Sequence, residues 1–258
     1  MRLNKYIAHN TRYSRREADR LIEEGRVTLG RQVLRDFAYD VQENDAVYID
    51  GKRVKPKGMD VTMVVFNKPK GCLVTKKDDR GRTTIYHLLP GKFRHFIPVG
   101  RLDFASEGLL LLTDNVEVAN ALMHSDLERT YNIKIDKPVT PAMLQAMQAG
   151  LELDDASAGA HERSEIRGMR FAPFGDVQIR SQGKNFTKLR VTLYEGKNRE
   201  IRRFFAHFGA NVLDLKRVSY GGVTLNNLPT GKTRYFTRKE YDELHAFMKA
   251  RQKTTDKG

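Results

Sequence analysis

Gly100-Arg101-Leu102-Asp103-Phe104-Ala105-Ser106-Glu107-Gly108-Leu109-Leu110-Leu111-Leu112-Thr113-Asp114-Asn115 is the stretch on which the reading of this chain turns. It sets an acidic residue in a loop between two apolar segments, Ile97-Pro98-Val99 before it and Leu109 to Leu112 after it. A short apolar run bounded by turn residues reads as a strand buried on both faces. Asp103 then stands at the edge of a core, on backbone held from both sides, where a reactive carboxylate can be positioned accurately. By pattern alone an aspartate in a loop is more often a turn residue. The surrounding sequence has to decide.

Working outward, Val61 to Phe66 reads as a strand, Asn67-Lys68-Pro69-Lys70-Gly71 turns it, and Cys72 to Thr75 continues it. Lys76 to Thr84 is a polar, basic loop. Beyond the central stretch, Asn115 to His124 reads as a helix with Val116, Ala119, Leu122 and Met123 inward. Arg129 to Ile135 alternates, placing Tyr131, Ile133 and Ile135 on one face of a half-buried strand. Thr140-Pro141 opens a helix that Gly150 ends. Residues 151–183 are less regular, with a strand expected at Asp176 to Arg180. Leu189 to Tyr194 is a clearer strand, and Glu195-Gly196 turns into a helix over Asn198 to Phe208. That helix carries an apolar stripe of Ile201, Phe204, Phe205 and Phe208, with Arg199, Arg202 and Arg203 bunched near its start. Strands follow at Val212 to Lys216 and Val223 to Leu225. A capping box at Thr237 to Glu240 opens a last helix to about Ala250, before a frayed tail from Lys253 to Gly258. Strands with helices inserted between them give an α+β domain on a mixed, largely antiparallel sheet.

The first fifty residues form a separate unit of two helices and short strands. Leu3, Tyr6 and Ile7 stand near helical spacing. Ser14-Arg15-Arg16-Glu17 is a capping box for a second helix, whose buried face is Ala18, Leu21 and Ile22 and which Gly25 ends. Arg26 to Leu29 and Ala46 to Ile49 read as strands, and Asp50-Gly51 as a tight turn. Lys52 to Asp60, with Lys55-Pro56-Lys57-Gly58, reads as a linker. The expected division is 1–51, a linker at 52–60, and 61–250.

The chain has 258 residues, 40% of them apolar and 30% charged, with a net charge of +14. Such a balance favours a polyanionic partner through counterion release. The charge is concentrated. Residues 1–35 carry nine Lys and Arg against four Asp and Glu, and residues 184–217 nine against three. Two basic concentrations point to a nucleic acid that touches both ends of the molecule. No apolar run approaches the ~20 residues that span a bilayer, so no membrane association is expected. No signal peptide follows Met1, and the single cysteine, Cys72, fits a reducing, cytoplasmic setting as a small buried residue. The seven histidines are scattered without ligand spacing, so no metal site is expected. A monomer is expected.

Leu3-Asn4-Lys5-Tyr6-Ile7-Ala8, Ser14-Arg15-Arg16-Glu17-Ala18 and Ile22-Glu23-Glu24-Gly25-Arg26-Val27 together resemble the S4-type RNA-binding domain. The resemblance implies that Arg2, Lys5, Arg12, Arg15, Arg16 and Arg20 face RNA phosphates. Four further segments, in order, resemble the pseudouridine synthases that carry an amino-terminal S4-type domain and modify ribosomal RNA. They are Asn67 to Gly71, Gly100-Arg101-Leu102-Asp103, Glu128-Arg129-Thr130-Tyr131, and Glu195 to Arg203. The family resembled is the RsuA family.

The resemblance implies that a uridine is converted within the RNA chain to its C-glycoside isomer, with no cofactor. Asp103 would be the catalytic carboxylate, as nucleophile or as base at the sugar. Tyr131 would stack on the target base, and Arg202 would be the partner of the carboxylate, with Arg199 or Arg203 as substitutes. Leu193 and Arg101 would belong to the pocket, and Arg199 and Arg203 are also candidate RNA contacts. The physics agrees, since breaking a glycosidic bond develops positive charge on the sugar that a carboxylate stabilises or traps. An extruded base needs a flat apolar face in place of its stacking neighbours. The Asn198-Arg199-Glu200 order resembles a subset with several large-subunit enzymes, so 23S rRNA is expected before 16S. The partner is ribosomal RNA or a ribosome assembly intermediate. The alternative is a non-catalytic S4-domain RNA-binding protein of ribosome assembly, which would have no use for Asp103, Tyr131 and Arg202 together. A methyltransferase is disfavoured, because no glycine-rich turn with an acidic residue about twenty positions later is present.

Overall fold

The computed structural model describes residues 1–42, 45–54, 61–161 and 164–255. The chain forms two compact units, Met1–Asp60 and Val61–Gly258.

In the first unit, α1 (Leu3–Asn10) and α2 (Arg15–Glu23) pack on a small antiparallel sheet of β1 (Val27–Leu29), β2 (Gln32–Val33), β3 (Val47–Ile49) and β4 (Lys52–Arg53), in the order β2-β1-β3-β4. The capping box is made at both ends: the Glu17 amide donates to Ser14 Oγ and the Ser14 amide to Glu17 Oε2. Leu3, Ile7, Ala18, Leu21 and Ile22 from the helices bury against Val27, Val47 and Ile49 from the sheet. Asp50 and Gly51 both take positive φ, 49° and 74°, in the turn between β3 and β4. The linker expected from Lys52 therefore starts too early. Lys52 and Arg53 pair with Ile49 and Tyr48, and Val54 is buried in this core. A lysine-rich sequence hides the returning strand. Residues 55–60, the rest of the expected linker, lie outside the described residues.

The second unit is built on β5 (Met63–Lys68), α3 (Ile85–Leu88), β6 (Ile97–Pro98), β7 (Glu107–Thr113), α4 (Val116–Met123), β8 (Arg129–Ile135), α5 (Pro141–Ala149), β9 (Leu151–Leu153), β10 (Met169–Phe171), β11 (Asp176–Gln182), β12 (Thr187–Leu193), α6 (Glu200–His207), β13 (Val212–Tyr220), β14 (Val223–Thr224), β15 (Thr233–Tyr235) and α7 (Arg238–Thr255). Among the described residues nine strands share one sheet, ordered β11-β12-β8-β13-β7-β5-β15, with β14 on β13 and β6 on β7. Every pairing is antiparallel except β13 with β7. β7 lies inside the sheet and its residues from Gly108 onward are all buried, as a run of four leucines requires. Met63, Val65, Leu109 and Leu111 pack with α4 and α7 residues, while Val64, Phe66, Leu110 and Leu112 pack with Ile85, Phe93 and Leu102. Under β8, β12 and β13, α5 and α6 close a third core, in which Ile133, Val191 and Leu215 meet Met143, Met147, Phe204 and Phe205.

Several expected elements differ. Cys72 to Thr75 does not continue β5; only a Leu73–Thr84 bridge forms there, because Pro69 and Gly71 (φ 79°) turn the chain away. In α4 the buried face is Val118, Ala119 and Leu122, whereas Val116 and Met123 are 57% and 41% exposed. Asn115 is the N-cap there, its side chain accepting from the amides of Glu117 and Val118, and this cap fixes the start of the helix. α7 continues through Lys253 to Thr255, past the expected fraying point, and residues 256–258 lie outside the described residues. Residues 151–183 contain the β9–β10 hairpin, which short strands and intervening polar residues conceal.

Candidate active site

The loop between β6 and β7 carries Asp103, and three independent tethers hold it. Lys68, at the end of β5 and fully buried, donates from Nζ to the carbonyls of Pro69, Asp103 and Ser106 at 3.0, 3.1 and 2.8 Å. Burial pushes the Lys68 ammonium below its ordinary pKa. The Gly71 amide donates to the Phe104 carbonyl at 2.8 Å. Arg202, from α6, donates from Nη2 to the Ala105 carbonyl and Ser106 Oγ, both at 3.3 Å, and from Nη1 to the Val212 carbonyl at 3.0 Å. The loop that bears the carboxylate is therefore fastened to β5, α6 and β13 at once.

Two guanidiniums meet the Asp103 carboxylate. Arg199 Nη1 lies 3.1 Å from Oδ2 and Arg202 Nε lies 3.7 Å from the same oxygen. Arg199 is the N-cap of α6 in left-handed backbone (φ 50°), and its Nε donates to the Gly159 carbonyl at 2.8 Å. Arg202 Nε is buried and makes no hydrogen bond among the described residues. Burial, with the charge of Arg199 beside it, lowers the Arg202 pKa. The nearer contact to the carboxylate is thus Arg199, which the resemblance places behind Arg202.

Asp103 stands at the junction of two hollows. The inner one, about 80 Å³, is walled by Tyr131, Leu193, Leu215 and Ile201, with Glu195, Lys197 and Glu200 also lining it. The outer one, about 420 Å³, carries Arg82, Arg101, His161 and Arg199. Tyr131 and Leu193 belong to neighbouring strands: β8 pairs with β12 so that Tyr131 faces Val191 and Arg129 faces Leu193. Arg101 is exposed and lines both hollows. Asp103, Tyr131, Leu193, Arg101, Arg199 and Arg202 are therefore brought together in one place.

Arg203 departs from expectation. As a candidate RNA contact it should be exposed, but it is fully buried. Its guanidinium donates to the carbonyls of Ala156, Ile166 and Asn198 and to Asn198 Oδ1 and Ser164 Oγ. It ties Ala156, Ser164 and Ile166, all between β9 and β10, to α6. Arg129 behaves in the same way, reaching the carbonyls of Leu127, Ser125 and Tyr194 and the Tyr220 hydroxyl. Sequence reasoning gives no role to Lys68 or Glu200 in this site. The available signal for Lys68 is a cation closing a strand that opens with four apolar residues, where a buried charge needs a dedicated set of acceptors. In the first unit, Arg2, Arg12, Arg15, Arg16 and Arg20 are exposed and Lys5 is half-buried.

Residues 62–207 match the RNA pseudouridylate synthase family model and residues 1–47 the S4 domain model. A protein of Helicobacter pylori (strain ATCC 700392 / 26695), described as an uncharacterized RNA pseudouridine synthase, is 52% identical over 249 residues, covering 96% of this chain and 95% of its own. The ribosomal large subunit pseudouridine synthase B of Bacillus subtilis is 30% identical, covering 95% and 96%. The dual-specificity RNA pseudouridine synthase RluF of Escherichia coli K12 is 33% identical, covering 95% and 78%. Among solved structures, a pseudouridylate synthase superposes with a TM-score of 0.60 at 24% identity, covering 95% of this chain and 99% of that one.

Proposed function

This chain belongs to the RNA pseudouridylate synthase family, and we propose that its substrate is a uridine of ribosomal RNA, in the large-subunit 23S molecule rather than the small-subunit 16S one. The observation that carries the site assignment is the Asp103 carboxylate, set between Arg199 and Arg202 at the mouth of a small cavity walled by Tyr131 and Leu193. The target nucleotide leaves its stack and its uracil enters the inner cavity against the Tyr131 ring. Asp103 then acts at the sugar, attacking it or removing a proton from it. The N1–C1′ bond breaks, the uracil turns inside the cavity, and C5 bonds to C1′. The C5 proton is lost and N1 ends with a proton, so the product is an isomer and no atom is added overall. The two arginines orient Oδ2 and balance its charge while positive charge develops on the sugar. The outer hollow, with Arg82 and Arg101, takes the flanking phosphates.

An enzyme needs Asp103 in a way that a binding protein does not, and the family membership removes the non-catalytic alternative. The large-subunit preference rests on the Asn198-Arg199-Glu200 sequence and on the named specificity of the Bacillus subtilis relative. Asp103→Asn should bind RNA with unchanged affinity and lose isomerisation by at least ~10³-fold, read as tritium release from C5-labelled rRNA. Activity near wild type would remove Asp103 from the mechanism. Mapping pseudouridines in rRNA from cells with and without the protein tests the target. A missing site in 16S alone would overturn the 23S assignment.

A further inference from the structure

The sheet has a second working face. Along β8, the side chains of Tyr131 and Ile133 enter the core on the catalytic side, so Asn132 and Lys134 emerge on the other. The pairing registers extend this into two rows across neighbouring strands. One row is Lys188 (β12), Lys134 (β8) and Asp214 (β13). The other is Gln178 (β11), Arg190 (β12), Asn132 (β8), Lys216 (β13) and Glu107 (β7). Most of these residues, together with Arg180, line an open depression of about 550 Å³, in which no described helix takes part. A solvated sheet face carries polar residues, and like charges set directly opposite across strands are unfavourable. Here Lys188 faces Lys134 directly. The one carboxylate in their row, Asp214, pairs with Lys70 outside the depression. The described residues offer no carboxylate within ion-pair distance of Lys134, Arg180, Lys188, Arg190 or Lys216.

A ring stands at the border. Phe186, in the turn between β11 and β12, is 40% exposed, and Lys134 Nζ lies 4.6 Å from its centroid. Interleaved cations and an exposed aromatic form the pattern that tracks a nucleic acid backbone and stacks an unpaired base.

The geometry points to this face as a second RNA-binding tract, which holds a segment of the substrate remote from the target uridine while the catalytic side holds the uridine itself. The inference rests on the RNA substrate of the proposed function. It adds that the substrate is a long RNA, because one sheet thickness separates the two faces and a short hairpin seated on the catalytic side leaves the second tract empty.

The test uses full-length protein carrying Lys134→Gln, Lys188→Gln and Arg190→Gln together, with wild type beside it. Binding is measured to a complete 23S transcript and to a hairpin of about twenty nucleotides excised around the mapped uridine, across a salt series. The triple variant should lose tenfold or more in affinity for the long RNA and change less than twofold on the hairpin. Its log–log salt slope on the long RNA should become shallower by about 2–3. An unchanged slope and affinity on the long RNA, or an equal loss on both RNAs, overturns the second tract. A melting temperature equal to wild type keeps a folding defect out of the comparison. If wild type isomerises uridine in neither RNA, the substrate assignment has failed instead. Phe186→Ala is the independent arm: it should lower long-RNA affinity without altering the salt slope, and no effect on affinity removes the ring from the tract.

Discussion

Glu200, in the first turn of α6, is 5% exposed, and its Oε1 has no hydrogen-bond partner among the described residues. Its Oε2 accepts from the Lys197 amide at 3.1 Å. Burial, then the neighbouring Glu195, push its pKa up to about 8. Glu195 lies on the other side of its ordinary value: burial raises it, but the Lys197 ammonium and the Ala172 amide, both donating to its Oε1, outweigh that burial. Burial in the wall of the inner cavity thus favours the protonated form of Glu200. The folded chain keeps that proton through a pH range in which the unfolded chain releases it. The stability tied to it is complete below about pH 4.5 and is lost as pH rises through about 8. Glu200→Gln cannot titrate. Its melting temperature should therefore fall less than that of wild type between about pH 6 and 8.5, and parallel curves would show that Glu200 is already ionised at neutral pH. At the residue scale the sequence is also least explicit. A cluster of three arginines at 199, 202 and 203 is visible in it. Which one meets Asp103 depends on the left-handed backbone of Arg199 and on the Ala156 and Ile166 carbonyls and Ser164 hydroxyl that claim Arg203.

At the scale of elements, the junction of β7 with β13 sets where the site can form. Gly108 has φ 104°, and a Cβ placed on it would stand 2.2 Å from the Arg217 carbonyl oxygen. Arg217 is buried in turn, with Nε donating to the Leu109 carbonyl at 2.7 Å. This close approach joins the two strands in parallel immediately after the Asp103 loop. Gly108→Ala should cost about 3 kcal/mol or more, measured by denaturant unfolding, since it meets both backbone contact and an unfavourable φ. A loss below about 1 kcal/mol would mean that β13 can move aside freely. Element types follow closely from periodicity: β7, β8, β12, α2, α5 and α6 all sit where apolar spacing and capping residues put them. The burial face of α4 and the turn after Gly71 do not, because each is decided by a cap or a chain reversal that outweighs average periodicity.

For the whole molecule, the net charge of +14 is distributed over both units. Arg15, Arg16 and Arg20 are exposed on α2 of the S4 domain, among the residues expected to face RNA phosphates. Replacing the three with Gln should weaken rRNA binding and make its salt slope shallower by about 2–3, roughly one for each phosphate left unneutralised. An unchanged slope would mean that α2 faces solvent in the complex. All three side chains are exposed, so their replacement should leave the melting temperature within about 2 °C.

The two-unit plan, the α+β class, the loop that bears Asp103 and the residue types gathered around it are all legible in the amino-acid order. These follow from local patterning: a leucine run must be buried, capping boxes must start helices, and alternation must face one side of a strand inward. The folded chain adds that Lys68 is the hidden tether of that loop, that Arg199 rather than Arg202 makes the closer contact, that Arg203 is buried, and that five cations share an open sheet face. Each of these depends on contacts between residues far apart in the chain. Burial converts an arginine or lysine from a surface charge into a structural one, and the pairing of strands sets which charges share a face. No local spacing encodes either.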